Sequence, residues 1–158
     1  MPQITPFLWF DSQAEEAANF YVSVFNNSKI VRTARYGDAG PGPKGTVVTV
    51  EFDLDGERFT ALNGGPLFKF TEAVSFVVHC KDQEDVDKCW NALSGNGGQE
   101  SQCGWLKDKY GLSWQVIPTI LLKLLQDKDG AKSKRVMEAM LQMKKIDIKK
   151  LKEASERQ

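Results

Sequence analysis

The sequence predicts an α+β fold, built from two βαβββ modules and a helical tail. Three observations lead there. An apolar strand followed by an amphipathic helix occurs twice, each helix precedes strands broken by glycine-bearing turns, and past Pro118 the apolar spacing becomes helical.

Ile4 to Phe10 is apolar and aromatic, as a buried strand is. Asp11-Ser12 supplies a helix N-cap, with Glu15 and Glu16 in the first turn, where the helix dipole favours them. Ala14, Ala17, Ala18, Tyr21, Val22 and Phe25 recur at three- and four-residue spacing, so one face of this helix packs inward. Asn26-Asn27-Ser28 ends it. Strands are predicted at Lys29 to Tyr36, Thr46 to Leu54 and Glu57 to Asn63. The loop Gly37 to Gly45 joins the first two, and an Asp55-Gly56 turn joins the others.

The order then recurs. Ala73 to Cys80 reads as a strand, and Asp82 caps a helix through Leu93 that buries Val86, Cys89, Trp90 and Leu93. A short polar strand near Gln99 to Ser101 precedes a hairpin turning at Lys109-Tyr110-Gly111, whose second strand is Ser113 to Ile117. In the tail, helices are predicted at Ile120 to Leu125, Ala131 to Lys145 and Asp147 to Ala154. The domain expected is 1–118, with modules at about 1–66 and 71–118, followed by a helical extension at 119–158.

Composition narrows the function. The 21 basic and 21 acidic side chains cancel, so no net field favours nucleic acid or an anionic membrane, and neither is an expected partner. No apolar run approaches the ~18 residues of a membrane span. The N-terminus has no basic n-region or cleavage site, so export is not expected. Three cysteines are too few and too unevenly spaced for a disulfide frame or a zinc site, and a reducing cytoplasm is the simplest home. The lysines at 144, 145, 149, 150 and 152 read as a solvated helix face.

Several stretches carry a family resemblance. They are Thr5-Pro-Phe-Leu-Trp-Phe-Asp11, Ala14-Glu-Glu-Ala-Ala-Asn-Phe-Tyr21, Asn63-Gly-Gly-Pro66, Cys80-Lys-Asp-Gln-Glu84, and Cys103-Gly-Trp-Leu-Lys-Asp-Lys-Tyr-Gly-Leu-Ser-Trp-Gln-Val-Ile-Pro118. Together they resemble the PhnB-like branch of the vicinal oxygen chelate superfamily, the superfamily of glyoxalase I. The branch is often labelled a 3-demethylubiquinone 3-methyltransferase family. The resemblance implies a glyoxalase-like fold in which the modules roll a mixed sheet into a cup, and it implies a homodimer. Superfamily metalloenzymes hold a divalent ion with a His or Glu from the first and last strand of each module. Carried onto this chain, that pattern falls on Pro6, Ala61 (or Asn63), Ser75 and Gln115, none of them a His or a carboxylate. No metal and no cofactor are therefore expected.

His79, the only histidine, shares a predicted strand face with Ser75 and Val77. It is the candidate catalytic base, or a strand-end histidine bonded to backbone or solvent. Gln115 shares its face with Ser113 and Ile117, leaving Trp114 and Val116 beneath a helix. Its amide needs partners, from a ligand or from a neighbour such as Asn63. Ser75, Asn63, Gln115, Arg35 and Trp105 are the candidate ligand-binding residues. Arg35 could equally be an exposed strand-end arginine beside a flap-length loop. With Pro6 taken as cup-facing, Leu8 and Phe10 line the cup, and Trp9 packs with Trp90 and Trp114 under the helices. Cys80 and Cys89 read as small core residues.

Methyl transfer needs a donor site, usually a Gly-rich loop between a parallel strand and a helix, and no such loop is present. The function expected is binding of a small organic molecule in a metal-free cup. The alternatives are a superfamily enzyme, metal-dependent or assisted by His79, and a non-catalytic structural or regulatory dimer. The region beyond Pro118 is expected to act as an arm toward a partner surface.

Overall fold

A computed structural model describes residues 1–157. The chain divides into two compact units, 1–70 and 71 onward. Each carries one four-stranded mixed sheet.

In the first unit, β1 (Phe7–Phe10) leads to α1 (Ala14–Val24), then β2 (Lys29–Arg35), β3 (Val47–Leu54) and β4 (Glu57–Asn63). The order is β1-β4-β3-β2, with β1 parallel to β4 and the other pairs antiparallel. The small residues Ala14, Ala17 and Ala18 bring α1 close to the sheet, and Tyr21 stacks on Phe52 at 6.2 Å. Phe52 stacks in turn on Phe59, its cross-strand partner. Registers then assign the faces. Leu8 pairs with Ala61 and Phe10 with Asn63, while Ala61 pairs with Val50 on the same face as Phe52. Leu8, Phe10, Val50, Phe52, Phe59 and Ala61 are thus the layer buried under α1.

This corrects the first-strand register. Leu8 and Phe10 do not line a cup; alternation turns Phe7 and Trp9 away from α1 instead. Every residue from Pro6 to Phe10 is apolar, so no polar–apolar alternation marks the inward face. The α1 start differs as well. Gln13, not Asp11 or Ser12, occupies the N-cap position and makes no side-chain cap. The Ala14 N–H is taken up by Asn63 Oδ1 at 2.8 Å.

The second unit runs β5 (Ser75–Cys80), α2 (Gln83–Ser94), β6 (Gln99–Glu100), β7 (Trp105–Lys107) and β8 (Ser113–Pro118). Its order is β5-β8-β7-β6, with β5 parallel to β8, which repeats the first unit's topology. Asp82 caps α2 by accepting from Asp85 N at 2.9 Å, as predicted. Trp90, Val86 and Leu93 form the buried stripe of α2, and Trp90 Nε1 donates to Glu100 Oε1 at 2.8 Å. Trp114, Val116 and Leu106 are buried on the α2 side of the sheet.

Three helices complete this unit: α3 (Thr119–Leu125), α4 (Gly130–Met140) and α5 (Ile148–Glu156). They bury Leu121, Val136 and Leu151 in a cluster with Ile117 of β8. Arg135 donates to the carbonyls of Ala154 and Ser155, closing the last turn of α5. The helix predicted to reach Lys145 stops at Met140: Gln142 N and Met143 N tighten to the carbonyls of Ala139 and Met140, three residues back, and the carbonyls that follow bond elsewhere. Met143 O and Lys144 O accept from the N–H groups of Cys103 and Gly104, both at 2.8 Å. Gln83 of α2 donates to Ile146 O and accepts from Ile148 N. Met143 and Ile146 are therefore buried without being helical. The expected arm lays its apolar residues in its own unit, although Leu122, Met137 and Leu141 stay exposed. Among the described residues no helix is long and apolar enough to cross a membrane.

Candidate functional site

The face of the second sheet turned away from α2 carries four of the six residues singled out in the sequence. Registers lay them in cross-strand rows. Val77, Gln115 and Trp105 form one row; Ser75, Ser113 and Lys107 form the next; His79 pairs with Ile117. Neighbours in a row stand ~4.5–5.5 Å apart at Cβ, so one small molecule can touch two rows. The β5 sequence alternates Ser75, Val77, His79 against Phe76, Val78, Cys80, which sorts polar groups to this face.

Gln115 Nε2 donates to Ser75 Oγ at 2.9 Å. The bond fixes the amide plane and leaves the Gln115 carbonyl oxygen, one amide N–H and the Ser75 hydroxyl hydrogen for other partners. Trp105 and Gln115 are half-buried, whereas Val77 and His79 are exposed. Ser113 is buried, and its Oγ has no hydrogen-bond partner among the described residues. Lys107 ends the Ser75 row in an ion pair with Glu72. The hydrogen bond and charge of Lys107 hold the Glu72 carboxyl below its ordinary pKa. The α3–α5 cluster covers Ile117 and closes one end of the face.

Asn63 and Arg35 lie in the first unit. Asn63 is engaged at both ends, accepting from Ala14 N and donating to Val47 O at 3.3 Å. Arg35 donates to Gly45 O and pairs with Glu15 of α1, both at 3.1 Å. Tyr36 exchanges backbone bonds with Gly45 and Thr46, so the loop before β3 is fastened at its base.

Asp108, outside the residues that the sequence singles out, organises the hairpin beneath the site. It is 3% exposed. Its Oδ1 accepts from the N–H groups of Tyr110 and Leu112, and its Oδ2 accepts from Trp114 Nε1 at 2.9 Å. Its signal in the sequence is an aspartate immediately before a glycine-bearing turn, the pattern of an Asx-turn.

A divalent metal does not fit these residues. Ala61, one expected ligand position, is buried under α1. On the faces away from the helices the four strands offer Phe7 and Trp9, Thr60 and Leu62, Ser75 and His79, and Ser113 and Gln115. That is one imidazole and no carboxylate. Among the described residues no three His, Cys, Asp or Glu side chains are grouped to hold an ion.

Residues 2–117 match the family model of 3-demethylubiquinone-9 3-methyltransferase. The fold is similar to a protein described as a putative 3-demethylubiquinone-9 3-methyltransferase, PhnB protein, from Bacillus cereus. Identity is 38% and the TM-score 0.68, covering 75% of this chain and 100% of that one. PA1353 from Pseudomonas aeruginosa is 18% identical with a TM-score of 0.63, over 75% and 98% of the two chains. The fosfomycin resistance protein FosX from Listeria monocytogenes, complexed with Mn(II) and sulfate, shares the fold at 12% identity. Its TM-score is 0.55, over 79% and 95%. No curated protein matches the chain. With its paired βαβββ units and this match over most of its length, the chain belongs to the 3-demethylubiquinone-9 3-methyltransferase family, the PhnB-like branch of the vicinal oxygen chelate superfamily.

Proposed function

We propose that the protein binds a small organic molecule on the face of the second sheet that carries Ser75, Gln115 and Trp105. The observation behind this reading is the Ser75–Gln115 hydrogen bond, an oriented amide set between two apolar side chains, Val77 and Trp105. Apolar walls with a few fixed polar groups are the usual make-up of small-molecule sites. The amide would bond a polar edge of the ligand, and Trp105 and Val77 would take its apolar or planar part. His79, exposed on the next row, would add a donor or acceptor at the rim.

Methyl transfer, the family's label, finds little support in these elements. The β1–α1 connection is Asp11-Ser12-Gln13 and the β5–α2 connection is Lys81-Asp82, so neither strand–helix junction has a glycine with which to approach a methyl donor. A homodimer belongs to the same reading, with exposed Leu122, Met137 and Leu141 offering apolar surface.

Native mass spectrometry of freshly purified protein, set beside its denatured mass, tests the proposal. The expected spectrum is a dimer carrying an organic adduct, with the adduct lost in Gln115→Ala. A mass excess of one divalent ion per chain, or an adduct that survives both Gln115→Ala and Trp105→Ala, would overturn it.

A further inference from the structure

Ser113, in the middle of its cross-strand row, is 1% exposed, and its Oγ meets no hydrogen-bond partner among the described residues. Most buried hydroxyls are paired, so this one needs an explanation. Its row supplies one. Ser75 stands on one side of Ser113 and Lys107 on the other, all three on the face away from α2. Lys107 pairs with Glu72, which precedes β5 by a few positions. Because β8 lies between β5 and β7, an ion pair from β7 to the approach to β5 spans the start of β8, where Ser113 lies. The Lys107 and Glu72 side chains are 37% and 59% exposed, and a pair this open to water is held weakly.

We propose that the ligand of this face is an organic acid, whose carboxylate takes the place of Glu72 on Lys107 and accepts a hydrogen bond from Ser113 Oγ. The proposal rests on the small-molecule reading above and names the class of molecule. Glu72 is the internal stand-in, which keeps Lys107 neutralised and Ser113 covered until the ligand binds. It serves Lys107 alone and leaves the hydroxyl unpaired. A ligand carboxylate has one oxygen for the ammonium and one for the hydroxyl. Exchanging one carboxylate for another keeps the charge on Lys107 balanced. The gain is the bond from Ser113, which is charge-assisted and shielded from water.

The rest of the molecule follows the face. Trp105 and Gln115 lie on the next row, two residues along from Lys107 and Ser113. A planar apolar body, joined to the carboxylate by a short link, therefore reaches the Trp105 ring and the Gln115 amide.

The probes are phenylacetate, which has that form, and phenylacetamide, its neutral isostere, each titrated into the full chain by calorimetry. Phenylacetate should bind about tenfold more tightly than the amide. Ser113→Ala and Lys107→Met should each remove that preference and leave the affinity for phenylacetamide unchanged. Glu72→Gln should tighten phenylacetate, because the internal competitor is gone. Ser113→Ala also has a signature without ligand: deletion of an unpaired buried hydroxyl should raise Tm by about 2–4 °C. A Ser113→Ala protein that melts below the parent would overturn the proposal, since the hydroxyl would then have a partner already. Equal affinity for acid and amide would overturn it as well, as would failure of phenylacetate to bind both the parent and Glu72→Gln. Amide binding that disappears in Trp105→Ala would, in that event, leave the small-molecule site standing without its preference for an acid.

Discussion

Asn63, the last residue of β4, hands its side-chain oxygen to the N–H of Ala14, 49 positions earlier, at 2.8 Å. The amide nitrogen of the same side chain holds Val47 O. One residue thus starts α1 and ties β3 to β4. Asn63→Ala should cost about 1–2 kcal/mol, the usual size of a lost N-terminal helix cap. Asn63→Asp keeps the acceptor for Ala14 and should cost less. Urea unfolding curves read both, and equal midpoints for Asn63→Ala and the parent would refute the role.

Gly64 follows Asn63, and a Cβ there would overlap the indole ring of Trp9. Trp9 Nε1 donates to Gly65 O at 2.9 Å, and its ring meets Phe68 edge-on at 4.8 Å. Gly64→Ala should destabilise by about 1–3 kcal/mol through overpacking. It should also shift Trp9 emission, best seen with the other three tryptophans replaced by phenylalanine. Unchanged emission and stability would mean that the ring moves aside freely.

The buried Asp108 carboxylate accepts from the turn N–H groups of Tyr110 and Leu112 and from Trp114 Nε1. Asp108→Asn turns one acceptor into a donor that confronts another donor, and should cost about 1–3 kcal/mol. Because β8 follows the turn, ligand affinity at Gln115 should fall with it. Chemical denaturation and a binding assay on one preparation check both; full stability would show that the turn forms without the carboxylate.

Asp87 is held below its ordinary carboxylate pKa, first by the hydrogen bond from Gln83 and then by Lys145. A depressed pKa contributes stability that is fully present above the unfolded value of 3.8 and lost as pH falls through the lower folded value. The pair is largely solvent-screened, so the contribution is about 0.5 kcal/mol, or about 1–2 °C in Tm. The parent should therefore melt above Asp87→Asn at pH 7, with the gap closing below pH 3.8. A gap unchanged on acidification would place its origin elsewhere.

Periodicity made most of the fold legible. The repeated strand–helix–strands order, the Asp82 cap and the hairpin ending in Ser113 to Pro118 all follow from local chemistry. The polar residues of β5, Ser75 and His79, are an even number of positions apart, so they reach one face with Gln115 as the sequence implies. The uniformly apolar β1 gives no such guide, and only its pairing with β4, Leu8 on Ala61 and Phe10 on Asn63, turns Trp9 to the other face. Asn63-Gly-Gly-Pro66 reads as a bare turn until its partners are known: Ala14 for Asn63, and the Trp9 ring for Gly64 and Gly65. Those partners lie some fifty residues away, beyond any window of local pattern. The path of 141–147 is hidden for the same reason, since the Met143 and Lys144 carbonyls accept from Cys103 and Gly104, some forty residues earlier.

That path bears on the order in which the protein is made. The first unit has its whole sheet and helix by residue 70, so it can fold as it leaves the ribosome. The second cannot. Ile117 waits for Ile146 and Leu151, and the N–H groups of Cys103 and Gly104 wait for Met143 and Lys144. Until those residues emerge, the strand bearing Gln115 has an apolar flank with nothing to cover it, and a nascent chain stalled just past Pro118 is the species most in need of a chaperone.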